Sequence, residues 1–168
     1  MSELTGVCVP VCTVFDESGQ KIDDGRYLAH VDRMLDAGVD KDSTGDFVRI
    51  QQLIETGGKV FNGGDPITYP ALVAGCVGCV WGSVNFLPEA AVSLFRAVSG
   101  GDLSTGAALW KSLLRSQLFV WSHVYNASVK AAANHLGFDV GACRPPVLPL
   151  TSGETAELFD TLESIRSL

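Results

Sequence analysis

The feature that most constrains the fold of this chain is an alternation of short apolar strands with amphipathic helices. Residues 7–15 (VCVPVCTVF) are nearly all apolar and rich in β-branched side chains, which is typical of a strand buried on both faces. A turn at residues 16–19 leads to a predicted helix over residues 24–37, which Gly38 ends. The apolar stripe of that helix consists of Tyr27, Leu28, Val31, Met34 and Leu35.

The alternation recurs further along the chain. We predict strands over residues 59–61 and 78–83, and helices over residues 66–74 and 88–99. An additional helix is expected before Gly57–Gly58, with one apolar side formed by Phe47, Ile50, Leu53 and Ile54. Repeated strand-helix units predict an α/β fold with a parallel sheet. The remainder reads as helical, over residues 103–125, 127–136 and from 153 to the end.

One junction interrupts the pattern. Only Val39 and Asp40 separate Gly38, which ends the first helix, from Lys41, which opens a cluster of turn and capping residues. This leaves room for one weak strand, Gly38 to Lys41, with a single large apolar side chain to anchor it. No linker divides the chain, so we expect one domain over residues 1–168. It would comprise a first unit at 1–40, three further units at 41–100 and carboxyl-terminal helices at 101–168.

Charge and hydropathy argue against several classes of partner. The chain carries 12 basic and 19 acidic side chains, a net charge of −7, and no basic run long enough to follow a phosphate backbone. We therefore expect no nucleic-acid partner. Residues 66–88 lack charge and are long enough to cross a bilayer, but Pro70, Gly75, Gly78 and Gly82 favour a helix, a turn and a buried strand instead. The acidic start of the chain lacks the features of a signal peptide, which predicts a cytoplasmic location.

The five cysteines are an odd number in a chain large enough to fold without disulfides, so we expect reduced thiols. Cys76 and Cys79 have the spacing of metal ligands, but no second pair completes a tetrahedral site. We favour small buried thiols over a structural zinc, and we predict no metal and no cofactor.

Lys41 is the candidate nucleophile, because it precedes a helix at the kind of strand-to-helix junction where parallel α/β folds collect reactive groups. If apolar surroundings lower its pKa, the neutral amine can attack a ketone and form an imine that acts as an electron sink. The alternative is a solvated loop lysine. Lys130 is a second candidate amine, although a helical lysine beside alanines more often extends along the surface of its helix.

Three histidines and one glycine pair are further residues that could carry chemistry. His30, His123 and His135 have no carboxylate at a spacing that suggests a metal site or a triad, so we interpret them as surface or half-buried helix residues. Gly63 and Gly64 precede a helix, and either their amides face an anionic ligand or the two residues form a tight turn that needs a positive φ.

Four stretches, in this order, resemble the dihydrodipicolinate synthase and N-acetylneuraminate lyase family of class I aldolases, which fold as (β/α)8 barrels. Residues 6–40 resemble the first strand and helix of the family, and residues 41–54 (KDSTGDFVRIQQLI) resemble its sixth unit. Residues 60–89 resemble the seventh strand to the eighth strand. The terminal helices are matched by SVKAAANHLG and RPPVLPL.

The resemblance implies roles for five residues. Lys41 matches the lysine that forms the Schiff base, within a Lys-Asp-Ser-Ser/Thr-Gly-Asp motif, while Val80 and Gly63 match positions close to the bound 2-oxo acid. Ser43 and Thr44 also approximate the loop that holds the substrate carboxylate in the family. Trp81 stands where the family has a serine, which changes the expected shape of that wall.

The resemblance also explains the interrupted junction. The second to fifth strand-helix units of the family are missing between Asp40 and Lys41, and with them the fifth-strand tyrosine that relays protons. A complete barrel has roughly 250 residues, whereas this chain has 168. We expect a partial barrel of four parallel strands, ordered second, third, fourth, first in the chain's own sequence, with outer helices. Its inner face and both edges would be open, which favours homo-oligomers.

The expected function is that of a lyase or aldolase acting on pyruvate or a related 2-oxo acid through an imine at Lys41. The alternative is a catalytically inactive partial barrel that binds itself or another protein.

Overall fold

The sheet contains three parallel strands in the residues that the structure, a computed structural model, describes: 6–8, 14–36, 47–55, 57, 59–163 and 165. They are β1 (Gly6–Cys8), β2 (Phe61–Asn62) and β3 (Gly78–Val80). The order is β1-β3-β2, with β3 between the other two. This is the predicted adjacency of the third, fourth and first strands. The predicted strand Gly38 to Lys41 lies outside the described residues.

The predicted strand over residues 78–83 is too long, because β3 ends at Val80 and a 3₁₀ turn occupies Gly82–Asn85. The Asn85 side chain explains the turn: its amide Nδ2 donates to the carbonyl of Gly82 at 2.7 Å and so competes with continued strand pairing. Of the predicted first strand, residues 9–13 lie outside the described part. Phe15 forms an isolated antiparallel bridge with Ile22.

The helices follow the predicted order with shifted ends. Pro66 lies in a 3₁₀ turn, Asp65–Ile67, rather than inside the helix that follows. Gly75 ends that helix at a φ of 114°, the left-handed conformation that glycine tolerates best. The seven helices of the described part are α1 (Asp24–Asp36), α2 (Phe47–Glu55), α3 (Thr68–Ala74), α4 (Pro88–Ser99), α5 (Leu103–Ser122), α6 (Tyr125–His135) and α7 (Ser152–Glu163).

Two capping arrangements start the long carboxyl-terminal helices. The Asp102 side chain accepts the backbone N–H of Thr105 at 3.0 Å at the start of α5. At the start of α7, the backbone N–H of Thr151 donates to Glu154 at 2.7 Å, and the N–H of Glu154 donates to Thr151 Oγ1 at 3.2 Å. This reciprocal pair is a capping box, which satisfies helix N–H groups that have no partner within the helix.

The two faces of the sheet have different side chains. Val7, Cys79 and Trp81 are buried on the face that α4 and α5 cover, as the alternation along a strand requires. The opposite face presents Phe61 and Val80, both half-buried. A Cβ at Gly78 would lie 2.6 Å from the Phe61 ring, so glycine is needed there. In the described part, this face therefore carries two half-buried apolar side chains and a glycine that leaves no room for a Cβ.

The buried face of α1 also differs from the predicted stripe. Leu28, a member of that stripe, is 57% exposed, whereas His30 is 4% exposed. Tyr27 and Arg33 flank His30 and are half-buried. Of the described side chains on α1, Tyr27, His30 and Arg33 rather than Leu28 therefore contact the rest of the protein. The side chains of the other predicted stripe members, Val31, Met34 and Leu35, lie outside the described part. In the described part of the chain, no helix is both long enough and apolar enough to cross a membrane.

Candidate functional site

Gly63 and Val80 lie side by side at the carboxyl-terminal edge of the sheet. The register pairs Asn62, the last residue of β2, with Cys79 of β3. Gly63 directly follows β2, and Val80 is the last residue of β3. Neighbouring strands are about 4.8 Å apart, so the two residues are neighbours across this edge. Both are half-buried and therefore accessible to a small ligand.

The other three predicted site residues, Lys41, Ser43 and Thr44, lie outside the described residues. Their roles as nucleophile and carboxylate ligands remain predictions from the sequence.

The loop that carries Gly63 is braced by Asn62, which is fully buried. The Asn62 amide Nδ2 donates to the carbonyl of Gly64 at 2.9 Å and to Thr68 Oγ1 at 3.0 Å. The backbone N–H of Gly64 donates to Asn62 Oδ1 at 3.1 Å. These bonds fix the conformation of the loop from within, since all of the partners belong to residues 62–68. Neither Gly63 nor Gly64 has a positive φ, and Gly64 is extended with a φ of −105°. The predicted turn that needs a positive φ is therefore not formed, and the Asn62 side chain holds the loop instead.

Asp65 is the central polar residue of this edge, although no sequence pattern predicts a role for it. It is 1% exposed and lies directly after the loop that carries Gly63. The Ser83 hydroxyl donates to Asp65 Oδ2 at 2.8 Å, and the backbone N–H of Ser83 donates to the same oxygen at 3.3 Å. The Tyr125 hydroxyl lies 3.0 Å from both carboxylate oxygens. We call these three residues the Asp65 cluster.

Burial raises the pKa of Asp65 above its usual value, and the hydrogen bonds from Ser83 and Tyr125 oppose that effect. The polar partners of this carboxylate in the described part of the chain are hydroxyl and amide groups rather than a cation. An acidic residue in the loop between a predicted strand and a predicted helix was the available signal for this cluster. Its partners at residues 83 and 125 could not be identified from local sequence.

Gly82 is required by the position of Tyr125. A Cβ at residue 82 would overlap the Tyr125 hydroxyl and would lie 2.7 Å from the ring carbon Cζ. The Tyr125 hydroxyl thus occupies the space that a side chain at residue 82 would need. This contact brings α6 against the turn that follows β3.

Trp81 points away from the Val80 side of the sheet. Its side chain is fully buried against α5, where the indole Nε1–H donates to Gln117 Oε1 at 2.7 Å. Its ring lies 6.1 Å from the ring of Trp110, centroid to centroid. The tryptophan therefore does not narrow the space beside Val80. The sequence suggested that Trp81 would change the shape of the wall of the substrate site, but its side chain lies on the other face of the sheet.

His30 and Arg33 hold the far end of the same turn. His30 Nε2 lies 2.7 Å from Asn85 Oδ1, and the Arg33 guanidinium donates to the carbonyl of Asn85 and stacks over the Phe138 ring. Burial lowers the pKa of His30, with a contribution from the nearby positive charges of Arg33 and Lys130. The prediction that His30 is a surface or half-buried residue is therefore wrong. His123 and His135 are half-buried, as predicted.

Lys130 is buried rather than extended along the helix surface. It is 8% exposed, and its ammonium donates to the carbonyls of Val140 at 3.1 Å and Ala142 at 3.0 Å. These bonds attach the segment after α6 to that helix. Lys130 is accordingly a structural residue in this fold.

The thiols of Cys76 and Cys79 are buried and reduced, in agreement with the favoured interpretation of their spacing. Burial raises the pKa of Cys76 to about 11, so this thiol stays protonated and unreactive at neutral pH. Among the residues that the structure describes, no group of three His, Cys, Asp or Glu side chains could hold a metal ion.

Comparison with known proteins places these features in a family. The profile of the Dihydrodipicolinate synthetase family matches residues 21–165. A 4-hydroxy-tetrahydrodipicolinate synthase of Ligilactobacillus salivarius is 27% identical over 161 residues, which cover 95% of this chain and 51% of the relative. An uncharacterized DapA-like lyase of Halobacterium salinarum is 32% identical over 133 residues, which cover 78% of this chain and 43% of the relative.

Solved structures agree with this assignment. The dihydrodipicolinate synthase DapA-2 of Bacillus anthracis superposes with a TM-score of 0.65 at 25% identity, covering 80% of this chain and 49% of that structure. The chain thus spans about half the length of the relatives that it matches. Its strands and helices are those of one part of a TIM-barrel protein. On the breadth of the sequence match and the shared fold, the chain belongs to the Dihydrodipicolinate synthetase family.

Proposed function

We propose that this chain forms a Schiff base between Lys41 and pyruvate or a related 2-oxo acid, as a lyase or aldolase of its family. The observation that carries the proposal is the adjacency of Gly63 and Val80 at the carboxyl-terminal edge of the sheet. In parallel α/β folds, this edge is where ligands bind. Family membership supports the same chemistry.

In the proposed reaction, the neutral amine of Lys41 attacks the ketone carbon of the 2-oxo acid and gives a carbinolamine. Uptake of a proton from solvent and loss of water then form a protonated imine, which withdraws electrons from the adjacent carbon–carbon bond. The hydroxyls of Ser43 and Thr44 would hold the substrate carboxylate. The edge formed by Gly63 and Val80 would bound the site on the other side.

Turnover is expected to be slow. The family tyrosine that relays protons belongs to the units that this chain lacks, and general acid-base catalysis contributes about 10² to 10⁴ in rate. Imine formation can survive this loss because it needs only a neutral amine and a bound ketone. We therefore expect an adduct that accumulates rather than an efficient catalyst.

The test is reduction of the imine with borohydride in the presence of pyruvate, followed by mass spectrometry. We expect one pyruvate-derived adduct in the wild-type chain, located at Lys41 by peptide mapping, and none in the Lys41→Ala variant. A matched control is Lys59→Ala, which removes an exposed lysine beside β2. An adduct that persists in Lys41→Ala, or a wild-type chain that forms none, would refute the proposal.

A second candidate function is self-association through the open edges of the partial barrel. Among the described strands, β1 and β2 each pair only with β3, so each leaves its outer edge unpaired within the described part. Open edges and half the length of the relatives favour pairing with a second copy. Light scattering at micromolar concentration should then give the mass of a dimer or a larger assembly. A monomer across that concentration range would contradict this candidate.

A further inference from the structure

We propose that Asp65 is a positioning residue for the 2-oxo acid, because through Ser83 and Tyr125 it ties the loop carrying Gly63 to the turn that follows Val80. This inference rests on the proposed function. Asp65 does not itself touch the substrate in this scheme. Its role is to keep the two sides of the binding edge at a fixed separation.

The contacts of Asp65 link three separate elements. The residue starts the 3₁₀ turn after β2, accepts two hydrogen bonds from Ser83 in the 3₁₀ turn after β3, and accepts the Tyr125 hydroxyl from α6. The side-chain bonds of Asn62, in contrast, join it to Gly64 and Thr68, which belong to the same loop and the helix start that follows it. Asp65 therefore connects the loop that carries Gly63 to the turn that follows Val80, in addition to the backbone pairing of β2 with β3.

The cost of this arrangement argues for a functional role. Burial of a carboxylate whose partners are neutral donors is unfavourable, as the raised pKa of Asp65 indicates. Apolar residues of similar volume would stabilise a purely structural contact at least as well. A satisfied polar network, in contrast, fixes distances and directions that apolar packing leaves adjustable. The network lies beside the residues that are expected to contact the ligand.

Tyr125 makes the connection rigid from outside the sheet. Its hydroxyl contacts both Asp65 and the backbone at Gly82, which is two residues after Val80. A displacement of α6 would therefore be transmitted to both sides of the edge at once. Loss of the Tyr125 hydroxyl should weaken ligand binding in the same direction as loss of the Asp65 charge, but to a smaller extent.

The experiment compares Asp65→Asn and Tyr125→Phe with the matched control Ser128→Ala. Ser128 is also on α6, is fully buried, and donates its hydroxyl to the Val124 carbonyl at 3.0 Å. Pyruvate is titrated into each variant and followed by ligand-observed NMR, which gives a dissociation constant whether or not an imine forms. Circular dichroism confirms that each variant is folded, and Tyr125→Phe serves as the test if Asp65→Asn does not fold.

We expect the dissociation constant to rise on the order of tenfold in Asp65→Asn, as for the loss of one hydrogen bond to a charged group, and less in Tyr125→Phe. Ser128→Ala should stay within about twofold of wild type, since a lost hydrogen bond remote from the edge changes stability rather than binding. Hydrogen exchange should also show a faster-exchanging Ser83 amide in Asp65→Asn.

Equal pyruvate affinity in wild type and Asp65→Asn would overturn the proposal, as would equal losses in Asp65→Asn and Ser128→Ala. A wild-type chain that does not bind pyruvate would overturn it too. Failure of the proposed imine is a separate result, because borohydride trapping would then find no adduct while the NMR titration still reported binding.

Discussion

The buried bond between Trp81 and Gln117 allows a quantitative test of how the end of β3 is attached to α5. The indole N–H and the amide oxygen are 2.7 Å apart, and both side chains are fully buried. Gln117→Leu leaves the indole N–H without its acceptor, and Trp81→Phe leaves the amide oxygen without its donor. Each single change should cost about 1–3 kcal/mol for the group that stays buried without a partner.

Additional losses differ between the two single variants. Trp81→Phe also removes part of the packing against Trp110, and a smaller ring in a packed core adds to the cost. Gln117→Leu also removes the hydrogen bond that the Gln117 amide Nε2 donates to Ser116 Oγ at 3.0 Å. Because Ser116 still donates to the Leu113 carbonyl at 2.8 Å, this second loss is small.

The double variant separates these terms from the bond itself. With both polar groups gone, neither partner is left unsatisfied, so the double variant should be less destabilised than the sum of the single variants by about 1–3 kcal/mol. For a chain of this size, 1 kcal/mol shifts the melting temperature by about 2–4 °C. The difference is therefore measurable.

The assay is urea unfolding followed by far-ultraviolet circular dichroism, because fluorescence would itself change when Trp81 is replaced. Free energies that add within about 0.5 kcal/mol would refute the bond. They would also refute the conclusion that the Trp81 side chain lies on the α5 side of the sheet rather than beside Val80. Ser116→Ala is the control for the neighbouring hydroxyl.

Two further predictions concern the turn after β3. Burial lowers the pKa of His30 below its usual value of 6.5, so the unfolded chain binds a proton more readily than the folded chain. The free energy of unfolding should therefore fall as the pH drops through and below about 6.5. In His30→Gln, urea unfolding between about pH 7 and about pH 5 should show a smaller loss of free energy, and equal losses in both chains would exclude His30 as the cause. Gly82→Ala should lower the free energy of unfolding by about 1–3 kcal/mol, because the new Cβ would overlap Tyr125. Thermal melts should show that adding Tyr125→Phe recovers part of this stability. A loss of stability that is the same with Tyr125 and with Phe at residue 125 would show that the overlap does not occur.

Local sequence signals were enough to predict several elements. The helix over residues 88–99 is α4 with the same bounds, because Pro88 fits the first helical turn and Gly100 follows the last. Gly75 ends α3 as predicted. The adjacency of β3 and β1 follows from the family resemblance, in which the first and eighth strands of a closed barrel are neighbours, rather than from any local pattern.

Long-range polar contacts could not be predicted in this way. Asp65, Ser83 and Tyr125 are far apart in the chain, and no periodicity marks a carboxylate that will be buried by residues from two other elements. Ser83 also reads as the end of an apolar strand until its hydrogen bonds are known. For His30 a signal did exist, since it lies three residues after Tyr27 on the same side of α1. Because histidine is polar, we nevertheless predicted a surface or half-buried position for it.

The parallel pairing of β1 with β3 has a consequence for how the chain acquires its structure. Gly6 pairs with Gly78, so about 70 residues must be synthesised and brought together before β1 gains its neighbour. Contacts of such large sequence separation form slowly, whereas β2, α3 and β3 follow one another directly. Among the described strands, β1 would therefore be synthesised before β2 and β3 and would pair last, which exposes it to chaperones and to competing strands for longer than the other two.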